Sequence, residues 1–416
     1  MEVFPLFDSQ VFDKSYLLKK TILNLLMQKK TLSRTALSAM IGIRPSTITE
    51  ITRELLQEGS VCEAGSLHLP GSDASRRDLT LNPNYRRLIG VDIQVGYIAC
   101  VLTDFCGTIL SRKLTPLSES ASQEEILSLV YESIDSMMQQ AGAVPILGIG
   151  VSTIGILDRS TDTILLTFSR LDWNHVRLRE LLAARYPAIP VYLEDQVVCR
   201  LYYEQWFLAQ DFKTNSVFVD IGSVTGCSAF FNGKILKNEA GISGEIGHFA
   251  VGNENVICSC GNANCLQTVA SASVVLKKVH QTLERNTISA LNDMTGRNLD
   301  HLTLQMVLDA AARNDRVAIN VLTTAALYVG RAVAYIINLL GPKRVILGGE
   351  MITGSDFFFR TVVDETLRLS LCLIADSIEF CRASPSEYAA ATGAVCMPLE
   401  DFFRFPDFSR AICSIE

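Results

Sequence analysis

Val219-Asp220-Ile221-Gly222-Ser223-Val224-Thr225-Gly226 is an apolar strand end that delivers an aspartate into a glycine-containing loop. A similar stretch lies 128 residues earlier, Val91-Asp92-Ile93-Gln94-Val95-Gly96. Around the later copy, Ser216 to Asp220 reads as one strand and Cys227 to Phe231 as another. Asn232-Gly233 supplies a two-residue hairpin turn, and Lys234 to Leu236 continues the pairing. Around the earlier copy, Arg87 to Asp92 and Tyr97 to Leu102 are strands. A turn at Asp104 to Gly107 leads to a third, ending at Leu114. Two copies of strand, aspartate, loop, strand, turn, strand predict a duplicated fold.

The chain outside the copies keeps the same alternation. Val144 to Val151 reads as a buried strand and Val176 to Arg185 as a helix. Val191 to Leu193 is a strand running into Glu194-Asp195. Further on, Ala270 to Glu284, Leu304 to Asn314 and Val317 to Leu340 read as helices. Pro342 to Leu347 is a strand leading to Gly348-Gly349, and Ala389 to Val395 is a last core helix. Strands alternating with helices predict α/β layers with parallel strands.

Composition bounds the class. A chain of 416 residues has about three domains as a prior. Hydrophobic residues at 48%, charged residues at 19% and a mean hydropathy of +0.25 exclude a disordered chain. Ordinary proline and glycine exclude collagen-like repeats. No apolar run reaches the ~18 residues of a membrane span; the nearest, Val144 to Leu157, contains Ser152 and Thr153. Met1-Glu2-Val3 lacks the basic start of a secretory signal, so the expected location is cytoplasmic.

Net charge is −7, but it is unevenly spread. Between Lys14 and Arg53 stand eight Lys/Arg and one acid, Glu50, a local +7 that leaves −14 for the remainder. A basic segment on an acidic body points to a DNA-binding head on a regulatory body. The pattern there agrees. Tyr16 to Met27 is an amphipathic helix, Ser33 an N-cap, Arg34 to Met40 a short helix broken by Gly42, and Pro45 to Gln57 a third helix ended by Gly59. This is the helix-turn-helix order. Ser60 to Glu63 and Asp78 to Leu81, around the polar turn Pro70 to Arg77, form a wing. The N-terminus of the third helix would enter the major groove. Arg44, Ser46, Thr47 and Thr49 carry suitable donors. Lys14, Lys19, Arg34 and Arg53 would serve phosphates, and Arg76 and Arg77 would reach from the wing. Protein-binding winged helices share the helix pattern; the local charge favours DNA.

Of twelve cysteines, nine are scattered, many in apolar runs as buried free thiols are. Cys258, Cys260 and Cys265 fall within eight residues, ten residues after His248. Three thiolates and one imidazole suit a closed tetrahedral zinc site, structural rather than catalytic, pinning 244–268. The histidines at 68, 175, 280 and 301 show no pairing pattern.

Gly244-Glu245-Ile246-Gly247-His248, the run Cys258-Ser259-Cys260-Gly261-Asn262-Ala263-Asn264-Cys265-Leu266 and Gly348-Gly349 together resemble the ROK family of repressors, open reading frames and sugar kinases. The resemblance covers about residues 88 to 398, and the N-terminal module resembles the family's repressor branch. It implies an actin-like, hexokinase-like duplicated fold in two lobes. The implied domains are a winged helix-turn-helix over 1–82, a first lobe over 88–198 plus about 385–416, and a second lobe over 199–384 with the zinc site and dimerisation helices. It also implies roles. Asp195 matches the kinases' catalytic base. Glu245 and His248 match sugar-hydroxyl contacts, His248 with its other nitrogen on zinc. Glu194 stands where the family usually has a sugar-binding Asn, and Gln267 where a sugar-binding Glu is usual.

The phosphate loops depart further. Where the family's kinases place two glycines, this chain has Gln94 and Val95, and Val224 replaces a glycine in the second loop. Backbone amides approach phosphate closely only where side chains leave room. The expected protein is therefore no enzyme but a sugar-responsive DNA-binding regulator. It would repress carbohydrate genes, bind operator DNA and a sugar effector, and act as a homodimer or homotetramer. A bifunctional sugar kinase and a ligand-independent DNA-binding protein are the rival readings.

Overall fold

Ser33 starts the second helix by accepting a hydrogen bond from the Ala36 N–H, and Gly42 ends it in the left-handed region. Pro45 opens the third helix and Gly59 closes it, again left-handed. These punctuation marks set a head of three helices, α1 (Lys14–Lys29), α2 (Arg34–Ile41) and α3 (Pro45–Glu58). β1 (Val61–Glu63) pairs antiparallel with β2 (Leu79–Leu81), Cys62 opposite Thr80, as the wing. Ile22, Leu26, Leu37, Ile48, Leu55 and Leu79 fill the head's core. The computed structural model describes residues 14–66, 78–118, 120–158, 161, 163–166, 175–209, 214–222, 225–237 and 244–404. The wing tip, with Arg76 and Arg77, lies outside the described residues, as does His68.

The body is built twice on one plan. β3 (Arg87–Ile93), β4 (Tyr97–Thr103) and β5 (Ile109–Pro116) form an antiparallel meander. β6 (Ile146–Thr153) adds beside β3 in parallel, the small hairpin β7 (Ile156–Asp158) and β8 (Thr163–Leu166) follows, and β9 (Val191–Asp195) joins beyond β6. The sheet order is β5-β4-β3-β6-β9. β10 (Ser216–Ile221), β11 (Thr225–Phe231) and β12 (Lys234–Ile235) repeat the meander. β13 (Arg344–Gly348) and β14 (Glu379–Arg382) repeat the parallel pair, giving β12-β11-β10-β13-β14. The Asn232-Gly233 turn has both residues at positive φ, as a two-residue hairpin of matching twist requires. The expected duplication is thus present strand for strand.

Each sheet is covered by helices. α4 (Gln123–Ala141) and α5 (Leu178–Arg185) bury Ile126, Val130, Ile134 and Leu182 against the first sheet. Its other face receives the C-terminal helices Ala389–Ala394 and Cys396–Phe403. α6 (Gln196–Tyr203) follows β9 and packs against both sheets. In the second unit, α7 (Leu266–Ala270) and α8 (Ala272–Leu283) are separate helices broken at Ser271; α8 is the helix expected over Ala270 to Glu284, and the short α7 before it was not expected. Ser271 has ψ of 160°, which no helix continues through.

Helix Arg316–Leu340 stands where the sequence predicts one, over Val317 to Leu340. By length and composition it is apolar enough to cross a membrane, but more than half of its most apolar stretch is buried within the protein. Val329, Val333 and Ile337 lie in the core of the second unit. It is a core helix with one exposed edge.

Candidate functional site

The carboxyl ends of parallel strands are where open α/β sheets hold ligands. Here β3 delivers Asp92 and β10 delivers Asp220 to equivalent places in the two sheets, and both side chains are buried. Asp92 accepts the Ser152 hydroxyl at 2.6 Å and the Gln94 side-chain amide at 3.0 Å on each oxygen. Burial lifts its carboxyl to about 6, against the pull of Ser152, Arg200 and Gln94. Arg200, on α6, sets its Nε 3.7 Å from an Asp220 oxygen. Burial raises Asp220 too, opposed by Arg200 and a backbone N–H.

The loop after β3 shows what Gln94 and Val95 do. Gln94 folds back onto Asp92, and Val95 packs on the apolar core of the first sheet. Side chains therefore occupy the space beside this strand end. Part of the second loop, Ser223 and Val224, lies outside the described residues.

β9 ends in Glu194 and Asp195. Asp195 caps α6, its Oδ1 accepting the Val197 N–H at 2.8 Å. Glu194 is buried and paired with Lys237; its other oxygen accepts the Asp195 N–H at 2.9 Å. Asp195 and Glu245 both lie close enough to the Cys227 thiol to raise it, adding to the larger effect of burial. Gly244 holds Glu245 there: it has φ of 83°, and a Cβ on it would meet the Cys227 carbonyl oxygen at 1.6 Å. Gly349 is fixed likewise, with φ of 95° and the Ile221 oxygen 2.0 Å from where a Cβ would stand.

His248, Cys258, Cys260 and Cys265 come together, their ligand atoms all within 4.8 Å of one another. The Cys260 and Cys265 sulfurs are 3.7 Å apart, and Cys258 Sγ is 3.7 Å from His248 Nδ1. Zinc–sulfur bonds of ~2.3 Å in a tetrahedron put ligand atoms about 3.8 Å apart, so the donor set fits a closed four-ligand metal centre. Burial raises the Cys258 thiol, but hydrogen bonds from Cys260, His248 and Cys265 outweigh it and bring the group to about 6, toward the thiolate a metal needs. His248 turns Nδ1 to this cluster and Nε2 toward Glu245, 3.9 Å away. Gln267 donates its amide to Cys258 Sγ at 3.1 Å. The position expected to face a sugar thus has its nitrogen on the metal cluster.

In the head, Arg44, Ser46, Thr49 and Arg53 are exposed on α3, with Thr47 half-buried. Arg34, expected to serve phosphate, bonds Thr52 through its guanidinium at 3.2 Å and pairs with Glu63 at 3.6 Å, tying α2 to α3 and the wing. Lys19 is likewise held by Glu54 at 2.9 Å and by Glu58 at 2.5 Å.

Residues 88–400 match the model of the ROK family. The chain belongs to the ROK family. A xylose repressor of Caldicellulosiruptor bescii is 27% identical over 399 residues, covering 94% of this chain and 97% of the relative. The xylose repressor of Bacillus subtilis is 26% identical, covering 92% and 95%. The DNA-binding transcriptional dual regulator NagC of Escherichia coli is 25% identical over 79% of each chain. Among solved structures, a ROK transcriptional regulator described as a homologue of the E. coli MLC protein superposes with a TM-score of 0.78 at 23% identity, over 92% of this chain and 96% of its own. A ROK glucokinase from Streptomyces griseus, in complex with glucose and AMPPNP, gives 0.63 at 21% identity over 75% and 98%. The fold is the actin-like, hexokinase-like duplicated ROK fold, preceded here by the helical head.

Within that ROK frame two residues escaped the sequence reading. Arg200 is a cation in an otherwise apolar turn of α6, a signal that marks a buried charge with a partner. Lys237 meets Glu194 across 43 residues of chain, a contact no local pattern announces.

Proposed function

We propose that this chain is a sugar-responsive, DNA-binding transcriptional regulator, a repressor of carbohydrate genes. The carrying observation is that a helix-turn-helix head with a clear α3 face is packed directly onto a ROK body. Lys20 of α1 donates to the Phe402 carbonyl, and Asn24 donates to the Phe403 carbonyl at 2.9 Å. The full-length repressor relatives support the reading, since they span head and body alike.

Residues 1–82 bind operator DNA, with Arg44, Ser46, Thr47 and Thr49 at base edges and Arg53 on phosphate. Residues 88–198 with about 385–416 make one lobe and 199–384 the other. The sugar sits between them against Asp195, Glu245 and His248. His248, Cys258, Cys260 and Cys265 hold a structural zinc, which would supply rigidity and fix the His248 ring so that its Nε2–H faces the sugar. All four positions belong to the protein, so the metal activates no water. The protein works in the cytoplasm as a dimer or tetramer matched to a two-fold operator. No phosphoryl transfer is assigned to it, because Gln94 and Val95 stand where the kinases' first phosphate loop has glycines and Gln94 folds over the strand end onto Asp92.

The test pairs two assays on the purified protein. A thermal-shift panel of monosaccharides finds the effector, since a ligand that binds the folded form raises apparent stability. Fluorescence anisotropy with genomic upstream DNA then reads its effect on operator affinity. Equal operator affinity with and without every stabilising sugar overturns the regulator reading.

A further inference from the structure

We propose that a second small-molecule site lies outside the cleft, in a cavity between the first sheet and the C-terminal helix, and that it takes a small zwitterion such as a free amino acid. The cavity measures about 240 Å³ and is walled by β9, the last strand of its sheet, by α5 and α6, and by helix Cys396–Phe403. Its lining includes none of Asp195, Glu245 and His248, so its occupant is separate from a sugar held by those residues.

The charges around it balance. Arg179, Lys237 and Arg404 stand against Glu194, Glu400 and Asp401. A bare anion or a bare cation would meet three groups of its own sign there, whereas a molecule with both signs finds a partner for each. Several of the six are already engaged. Lys237 pairs with Glu194. Arg179 gives its Nε to the Val191 carbonyl at 3.0 Å, and Asp401 accepts the Tyr192 hydroxyl at 2.9 Å.

Two groups keep capacity to spare. Glu400 accepts the Tyr202 hydroxyl on Oε2, and among the described residues nothing donates to its Oε1. Arg404 meets Asp401 only at 3.9 Å, and its guanidinium makes no hydrogen bond among the described residues. A guanidinium fork binds a carboxylate through two parallel bonds. An ionised carboxylate accepts the N–H groups of an ammonium. Arg404 and Glu400 therefore offer the two halves of a zwitterion's binding partner on one wall. Val191, Leu193 and Met397 add apolar surface for the rest of the ligand.

Titration calorimetry on the full-length protein, with each of the common free amino acids in turn, tests the proposal. At least one should bind saturably with a Kd below about 1 mM. Its amide, which lacks the carboxylate, and its hydroxy-acid analogue, which lacks the ammonium, should each bind at least about tenfold more weakly. Arg404→Gln and Glu400→Gln should each weaken it at least about tenfold as well. The Arg404 side chain is 66% exposed, and glutamine at 400 still accepts the Tyr202 hydroxyl, so melting of the unliganded variants should report folded protein. Sodium phosphate and sodium acetate should give no saturable heat. Silence from every amino acid, an affinity that survives both substitutions, or phosphate or acetate binding more tightly than any amino acid overturns the inference. None of these outcomes bears on the sugar-responsive reading, whose effector occupies the cleft.

Discussion

Asp92 carries its charge at a cost set by burial. Its folded carboxyl lies at about 6, above the 3.8 of the exposed group, so the folded protein binds the proton more tightly. Stability from this residue is therefore full below pH ~4 and falls as pH rises toward 6. The difference is of order 2–3 kcal/mol. Asp92→Asn removes the titration, so the stability difference between variant and wild type should shift in the variant's favour between pH 4 and 6.5. Denaturant midpoints across that range measure it, and a difference independent of pH refutes it. Gln267 makes a second case. Its amide on Cys258 Sγ supports the thiolate from outside the ligand set. Gln267→Leu should weaken metal retention about tenfold, as loss of an outer-shell partner does; release to a chromogenic chelator reads this directly. Asp92, Asp220 and the metal ligands were legible in the sequence because strand ends and close spacing mark them. Arg200 and Lys237 were not, because their partners stand 20 and 43 residues away and only the assembled sheets bring them together.

At the scale of elements, α3 and α2 separate two kinds of arginine. Arg44 and Arg53 are exposed on α3, whereas Arg34 bridges to Thr52 and Glu63. Arg44→Ala and Arg53→Ala should each cut operator affinity at least several-fold while leaving the melting temperature unchanged. Arg53→Ala, as a phosphate contact, should also lower the salt slope by about one. Arg34→Ala should act the other way, lowering head stability by about 1 kcal/mol through a lost side-chain hydrogen bond. Thermal melts and anisotropy on the same three proteins separate these outcomes. Helices with clear caps were predicted to within two or three residues, as at Ser33 and Gly42. The short helix Leu266–Ala270 was not, because five residues are too few to show a helical period. Sequence reading also assigned no helix to 123–141, although Ser122 and Glu125 form a capping box that marks its start. Nothing in the local sequence of Glu379–Arg382 sets it apart as a strand; its place beside β13 makes it one.

For the whole molecule, the duplication was legible because both halves use the same strand-aspartate-loop pattern. The contact between head and body was not, because it joins residues nearly 400 positions apart. That contact has a physical route to the cleft. Glu194 and Tyr192 share β9; the Tyr192 hydroxyl donates to Asp401 at 2.9 Å, and Tyr202 of α6 donates to Glu400 at 2.6 Å. Asp401 and Glu400 lie on the C-terminal helix Cys396–Phe403, whose end accepts hydrogen bonds from Lys20 and Asn24 of α1. A cavity of about 240 Å³ lies along this path between Glu194, Lys237 and Arg404. A change at the cleft that moves β9 or α6 therefore moves the helix on which the head rests. Coupling of this kind is an energy between two binding events, not a property of either one. Asn24→Ala combined with Tyr192→Phe should leave the affinity for sugar and the affinity for operator, each measured alone, within about twofold of wild type. The factor by which saturating sugar changes operator affinity should fall toward one. A coupling factor that survives both substitutions would place the signal on a path other than the C-terminal helix.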